Sequence, residues 1–326
     1  MLGVFKQNTV STAIALVFVT FIMKINAILH PPTLKDLGDF HKGVFFQWDW
    51  MYAWYKSSPN VYVFMSSCVI LGVALYINYV INREKMYPRK SYLTALMFVL
   101  MTSMLLSLNV LSFAAIANIF IFMAVAKALT LQNATSPRKA VFDIGLWVSM
   151  AVLFYFPAIL FVLALFIFIL VFRPIILQEI MAYILGLLTP VYFSLALLFL
   201  TGKWPFYAKN LYLHINLPLQ LVSLPVFILM TVSSISLLIY GIYVGNSLSS
   251  KNPIAVKKKW GAIHIYIVFG LIVGCFSSIF PSTPWIIAIT PFSILLCNTF
   301  HNNIEKYNIF TFYFLLAVLI TVQWLF

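Results

Sequence analysis

Apolar stretches of about 18 residues or more recur from the first turn of this 326-residue chain to its last residue, and that recurrence decides its solvent. Wound as helices at 1.5 Å rise per residue, such stretches match the ~30 Å hydrocarbon core of a bilayer. Hydrophobic residues make up 63% of the chain and charged residues 8%, against roughly half and a quarter in a soluble globular domain. No stretch is left over for a soluble domain. Residues 1–326 therefore read as a single integral-membrane domain, an all-α polytopic bundle. The run after Ser11 has the look of a signal peptide but continues to Leu29 with no small-residue cleavage site, so it reads as a retained span.

Apolar runs between charge clusters place about eleven spans, near 10–29, 60–81, 92–109, 112–130, 141–156, 158–172, 176–200, 219–245, 262–280, 284–300 and 309–326. Short loops rich in Lys and Arg stay cytoplasmic. Four clusters qualify: Arg83, Lys85, Arg89 and Lys90; Lys127, Arg138 and Lys139; Arg173; and Lys251 with Lys257, Lys258 and Lys259. All four fall on one side, and Lys6 and Lys306 agree, so about fourteen of the twenty basic residues lie inside. The expected N-terminus is cytoplasmic and the C-terminus outside, with cytoplasmic loops near 82–91, 131–140, 246–261 and 301–308. The net charge of +13 is thus topogenic, and no nucleic-acid partner is implied. Two runs of about sixteen residues divided by Pro157 are short for crossing, so 141–172 reads either as two thin spans or as a re-entrant hairpin. Pro190 should kink the next span. Cys68, Cys275 and Cys297 lie inside apolar runs and read as packing residues.

Two outside loops, near 30–60 and 201–218, are long enough to hold chemistry. From Val44 to Tyr55 the first carries seven aromatic residues, the pattern of a helix lying in the headgroup layer. The chain has only seven acidic residues, and three of them, Asp36, Asp39 and Asp49, lie in this loop. Asp36 and Asp39 are three apart, which places both on one helical face and suits a general base or a shared divalent cation. His30, His41, Tyr207, Lys209 and His214 are the outside groups that would complete a phosphate-binding or metal-binding set. Lys24 interrupts the outer half of the first span and is expected to snorkel to the headgroups; the alternative is that it binds a phosphate entering from the lipid, beside Asn26 and His30. Asp143, Arg173 and Glu179 are expected to form one structural ion cluster, with an ion or proton pathway as the alternative, whereas Glu84 and Glu305 read as solvated turn charges. No P-loop, zinc-protease, nucleophile-elbow or dinucleotide motif occurs.

The segments NYVINREKMYPRKSYLTALMFVLMTS, from Asn78 to Ser103, and FDIGLWVSMAVLFYFPAILFVLALFIFILVFRPIILQEIMAYILGLLTP, from Phe142 to Pro190, resemble an uncharacterised family of polytopic inner-membrane proteins of Bacteroidota. That family carries an N-R-x-x-x-x-P-R-x-S-Y-L turn before a short hairpin ending in F-R-P. The likeness implies a bacterial cell envelope and no activity. A second, architectural likeness is to the integral-membrane glycosyltransferases that take sugars from polyprenyl-phosphate carriers. In that superfamily an acidic residue of the first outside loop is the general base or metal ligand, a position that falls here to Asp36 or Asp39. The expected function is an envelope-biogenesis protein acting on or near a lipid-linked substrate at the outer leaflet. A non-catalytic subunit working with other envelope membrane proteins is the alternative, and a transporter or lipid flippase the third reading. A reporter fused after Phe326 is expected to behave as external and one at Lys258 as cytoplasmic; the reverse at either point would contradict the eleven-span count.

Overall fold

A computed structural model describes residues 2–37, 40, 48–174, 176–202, 224–249, 252–275, 283–301 and 305–325. All regular structure among them is helical. In chain order the helices are α1 Leu2–Phe5, α2 Val10–Leu29, α3 Leu34–Leu37, α4 Asp49–Ser57, α5 Pro59–Arg83, α6 Leu93–Thr102 and α7 Phe113–Leu129. They continue as α8 Pro137–Phe154, α9 Leu160–Phe172, α10 Leu177–Leu200, α11 Leu224–Ser249, α12 Ile254–Cys275, α13 Ile286–Cys297 and α14 Glu305–Leu325. Short 3₁₀ turns flank several of them, at Leu106–Asn109, Phe156–Ile159, Thr283–Trp285 and Asn298–His301 among others.

The apolar runs are largely helical over their described parts, and among the described residues five are long and apolar enough to cross a membrane: α2, α5, α10, α12 and the run Thr283–His301 around α13. The run expected over 92–109 departs most. It forms ten residues of α6, all of them buried, and then breaks before the 3₁₀ turn Leu106–Asn109. Ten residues rise about 15 Å, half a bilayer core. Such a segment survives because neighbouring helices enclose it: α6 packs between α5 and α13, and α13 packs in turn against α12 and α11. The hairpin is divided as expected, by Tyr155 and the turn Phe156–Ile159 that contains Pro157. Pro190 lies inside α10, which runs on through it to Leu200. Cys297 is buried, Cys275 partly so, and Cys68 exposed on the outer surface of α5.

α8 and α10 meet backbone to backbone. A Cβ added to Gly145 would stand 2.5 Å from the Tyr183 carbonyl oxygen, and one on Gly186 would stand 2.3 Å from that of Phe142. Without side chains at either position the helices approach closely, as small residues permit in lipid, where the attraction between helices is packing rather than solvent exclusion. The Ser149 hydroxyl then donates to Leu187 O at 2.7 Å across the same contact.

Helix ends bearing Arg83, Lys127, Arg138 and Lys259 gather at one end of the bundle, called here the basic end, and cross-helix bonds hold them. α5 stops in a Schellman turn. The Met86 N–H bonds Ile81 O and the Lys85 N–H bonds Asn82 O, both at 3.3 Å, and Lys85 takes the left-handed conformation, φ +51°, that glycine usually fills. Asn82 explains two residues of the N-R-x-x-x-x-P-R-x-S-Y-L turn: its amide donates to Ser91 O at 2.9 Å and accepts from Ser91 N at 3.4 Å. The Tyr92 N–H bonds Phe5 O, tying α1 to the same turn. Tyr87 reaches further, donating to the Ile294 carbonyl and stacking on His301 with ring centroids 4.5 Å apart. Burial pushes its phenol well above the usual value, so it remains a donor throughout the physiological range.

Glu84 is not the solvated turn charge expected of it. Its side chain is 9% exposed and accepts from Lys259 Nζ at 2.7 Å and from Arg83 Nε at 3.1 Å. Lys259 also donates to the Glu84 backbone carbonyl. The reason is topological: a turn expected to face water lies under the start of α12, which begins at Ile254 rather than near 262.

Two outcomes follow from these contacts. Gly186→Ala should lower folded yield and melting temperature, since backbone cannot yield to the new methyl, whereas Gly72→Ala, with open space around it, should be neutral or up to about 1 kcal/mol stabilising. Lys259→Met should cost about 1–3 kcal/mol, because it removes the buried partner of the Glu84 carboxylate and leaves only the more exposed Arg83. Glu84→Gln in the same chain should recover part of that loss in a thermal melt.

Candidate functional site

α2 brings Lys24 into the protein rather than to its surface. The residue is fully buried, so it does not snorkel as expected. Its position in α2 explains this: the buried residues Leu16, Thr20, Lys24 and Ala27 recur at helical spacing on the face turned inward. The ammonium donates to the Thr102 hydroxyl at 3.3 Å and to the side-chain carbonyl of Asn109. Thr102 is the last residue of α6, and Asn109 ends the 3₁₀ turn that follows the break. The negative end of the α6 dipole therefore faces the cation. Asn109 is held in turn by its amide, which donates to Leu105 O at 3.1 Å.

Both acceptors are neutral, and among the described residues Lys24 has no acidic partner. A charged group so enclosed at membrane depth is costly and marks a functional position by default. Around it the break in α6 gathers polar groups: Thr102, Ser103, Ser107, Asn109 and Ser112 are all buried.

The first long loop covers this break. Phe113 N–H bonds Phe40 O at 3.0 Å, Tyr62 OH donates to Leu111 O at 2.8 Å, and Leu111 N–H bonds the Ser66 hydroxyl at 3.1 Å. Tyr55 OH, from α4, donates to Pro32 O. Trp48 sets its ring edge to face against Phe113 and Phe154, with centroids 5.3 and 5.4 Å away. A helix is observed in this loop, over Asp49–Ser57, with Met51 and Tyr55 turned inward and Trp50 and Tyr52 outward. Residues 44–47 of its expected range lie outside the described residues.

Of the sequence-chosen residues, Asp39, His41, Tyr207, Lys209 and His214 lie outside the described residues. Asp36 falls in the backbone turn α3, and nothing is described of its side chain. His30 is exposed at the end of α2, where its N–H bonds Asn26 O at 2.8 Å. Among the described residues no three His, Cys, Asp or Glu converge as a metal site. The expected ion cluster is two separate pairs: Asp143 accepts from Lys127 Nζ at 2.9 Å, and Arg173 Nε stands 3.2 Å from Glu179 Oε1.

Sequence reasoning missed Thr102 and Asn109, since an Asn before a turn reads as punctuation. A second buried polar group also escaped it. Thr290 donates to Asn118 Oδ1 at 2.8 Å, and Tyr266 OH approaches the same oxygen at 3.5 Å, joining α7, α12 and α13 through fully enclosed side chains. Compared with known proteins, the chain matches no family model, no curated protein and no solved structure.

Proposed function

We propose that this chain is a multi-pass protein of a bacterial inner membrane, crossing about eleven times with its N-terminus cytoplasmic, and that it acts in envelope biogenesis on a lipid-linked anionic substrate at the outer leaflet. The one-sided distribution of Lys and Arg supports that orientation, and the resemblance of the Asn78–Ser103 and Phe142–Pro190 segments to the Bacteroidota family supports that envelope. On this reading the scaffold works like that of the polyprenyl-phosphate-sugar-dependent glycosyltransferases. Asp36 or Asp39 supplies the base or holds a divalent cation, and Lys24, together with His30, Lys209 and His214, receives the phosphate.

The observation that carries the reading is the ammonium of Lys24, enclosed at the broken end of α6 beneath the acidic loop and set on two neutral acceptors. A buried cation with no carboxylate partner among the described residues is incomplete, and an anion arriving from the lipid side completes it. The second reading, a non-catalytic subunit of an envelope complex, is favoured by the mid-membrane polar residues Asn118, Tyr266 and Thr290. These are turned onto one another rather than onto a path.

Lipid extracted from protein purified out of its own membrane tests the proposal by mass spectrometry. A phosphate-bearing polyprenyl lipid is expected at roughly ten to a hundred times its share in Lys24→Met protein, the worth of one charge-assisted contact. Thermal stability should stay within about 1 kcal/mol, because removing the uncompensated charge offsets the two lost hydrogen bonds. Asp36→Asn and Asp39→Asn should leave that lipid bound and lower its turnover. A lipid profile equal to that of the bulk membrane in both proteins, with Lys24→Met strongly destabilised, would make Lys24 structural and leave the subunit reading.

A further inference from the structure

At the basic end, the second ion pair is incompletely bonded. Arg173 closes α9 and Glu179 stands in the first turn of α10, their facing atoms 3.2 Å apart. That separation is close enough for charge attraction, yet the Arg173 Nε–H is not aimed along a hydrogen bond, and Glu179 Oε2 has no hydrogen-bond partner among the described residues. Glu179 is only 5% exposed. Leaving a buried carboxylate oxygen unbonded is costly, although the dipole at the start of α10 favours its charge.

Directly along the same helices runs an apolar groove of about 440 Å³, lined by Ile159, Val162, Leu163 and Phe166 of the α9 side and by Ile180, Tyr183, Ile184 and Leu187 of α10. Glu179 is one turn before Tyr183 and shares its face, so the unbonded carboxylate stands at the basic end of the groove's α10 wall. The groove opens outward: Leu163 is 56% and Ile184 43% exposed. Its wall on α10 runs from Ile180 to Leu187, a rise of about 10 Å, the reach of the upper part of an acyl chain. Tyr183 contributes no free hydroxyl, because its OH donates to Val162 O at 2.7 Å.

We propose that this groove and ion pair bind one phospholipid whose headgroup carries a primary ammonium beside its phosphate. The acyl chain fills the groove, the phosphate takes the guanidinium of Arg173, and the ammonium donates to Glu179 Oε2. Each partner answers an observed deficiency: an unaimed guanidinium N–H, an unbonded carboxylate oxygen and an unfilled apolar wall. A quaternary ammonium has no N–H to give, and an uncharged glycerol headgroup brings no cation to the carboxylate. The site thereby distinguishes a phosphatidylethanolamine-type lipid from its choline and glycerol counterparts. It lies at the opposite end of the bundle from Lys24 and does not depend on what that residue binds.

Purified full-length protein, stripped of lipid and titrated with each of the three phospholipids, tests this by native mass spectrometry and thermal shift. The ethanolamine lipid should remain bound at roughly tenfold lower concentration than the other two. Glu179→Gln, which keeps the side chain's shape, should abolish that preference while leaving chain binding intact, and Leu163→Trp, at a position already exposed, should weaken all three alike. Equal retention of the choline and ethanolamine lipids by the unaltered protein would overturn the proposal, as would a preference that survives Glu179→Gln.

Discussion

The amino group of Lys24, buried with no carboxylate partner among the described residues, is the constraint around which the break in α6 is arranged. Lys24 enters on the inward face of α2 and finds Thr102 and Asn109, one at each edge of the break in α6. Half a helix in the middle of a membrane protein leaves carbonyls without intrahelical partners, and the cation stands at that negative end. Ser103 and Thr102 hydroxyls fold back onto Val99 O, satisfying more of the same terminus. Everything enclosing α6 serves that arrangement: α5 on one side, α13 on another, and the aromatic loop closing the end.

The two ends of the bundle handle charge differently. At the basic end charges are matched within the protein, Glu84 with Lys259 and Arg83, Asp143 with Lys127, Glu179 with Arg173. Such pairs fix how helix ends meet; the Glu84–Lys259 pair tolerates burial because its hydrogen bonds are made, whereas Arg173 and Glu179 attract without completing theirs. At the Lys24 end the charge is matched only by dipoles among the described residues. That asymmetry is why Lys24 carries the functional proposal, while Arg173 and Glu179, whose facing atoms are left partly unbonded, are the pair at the basic end open to a ligand.

Much of the fold was legible because lipid imposes few choices: long apolar runs become helices, and the runs near 10–29, 60–81 and 176–200 appear as α2, α5 and α10 with small boundary shifts. The Pro157 division and the helix of the first long loop were legible for the same local reasons, proline geometry and amphipathic aromatics. What could not be read was which side of a helix another helix covers. Hydropathy gives Lys24 a depth but no direction, so snorkelling seemed the cheaper outcome until α2 was seen to turn that face inward. Glu84 shows the same gap, since only the fold brings Lys259, 175 residues further on, over its turn. The break in α6 was hidden for another reason: Leu93 to Asn109 is apolar enough to span, and its end is set by packing against α13 rather than by proline or glycine.

A density map of the protein in bilayer nanodiscs made from its native lipid tests the central claim most directly. The account predicts non-protein density beneath the first loop with a phosphate within about 3 Å of Lys24 Nζ, the length of a charge-assisted hydrogen bond. A carboxylate of Asp36 or Asp39 occupying that position, with no lipid between, would contradict it and make Lys24 one more internal pair.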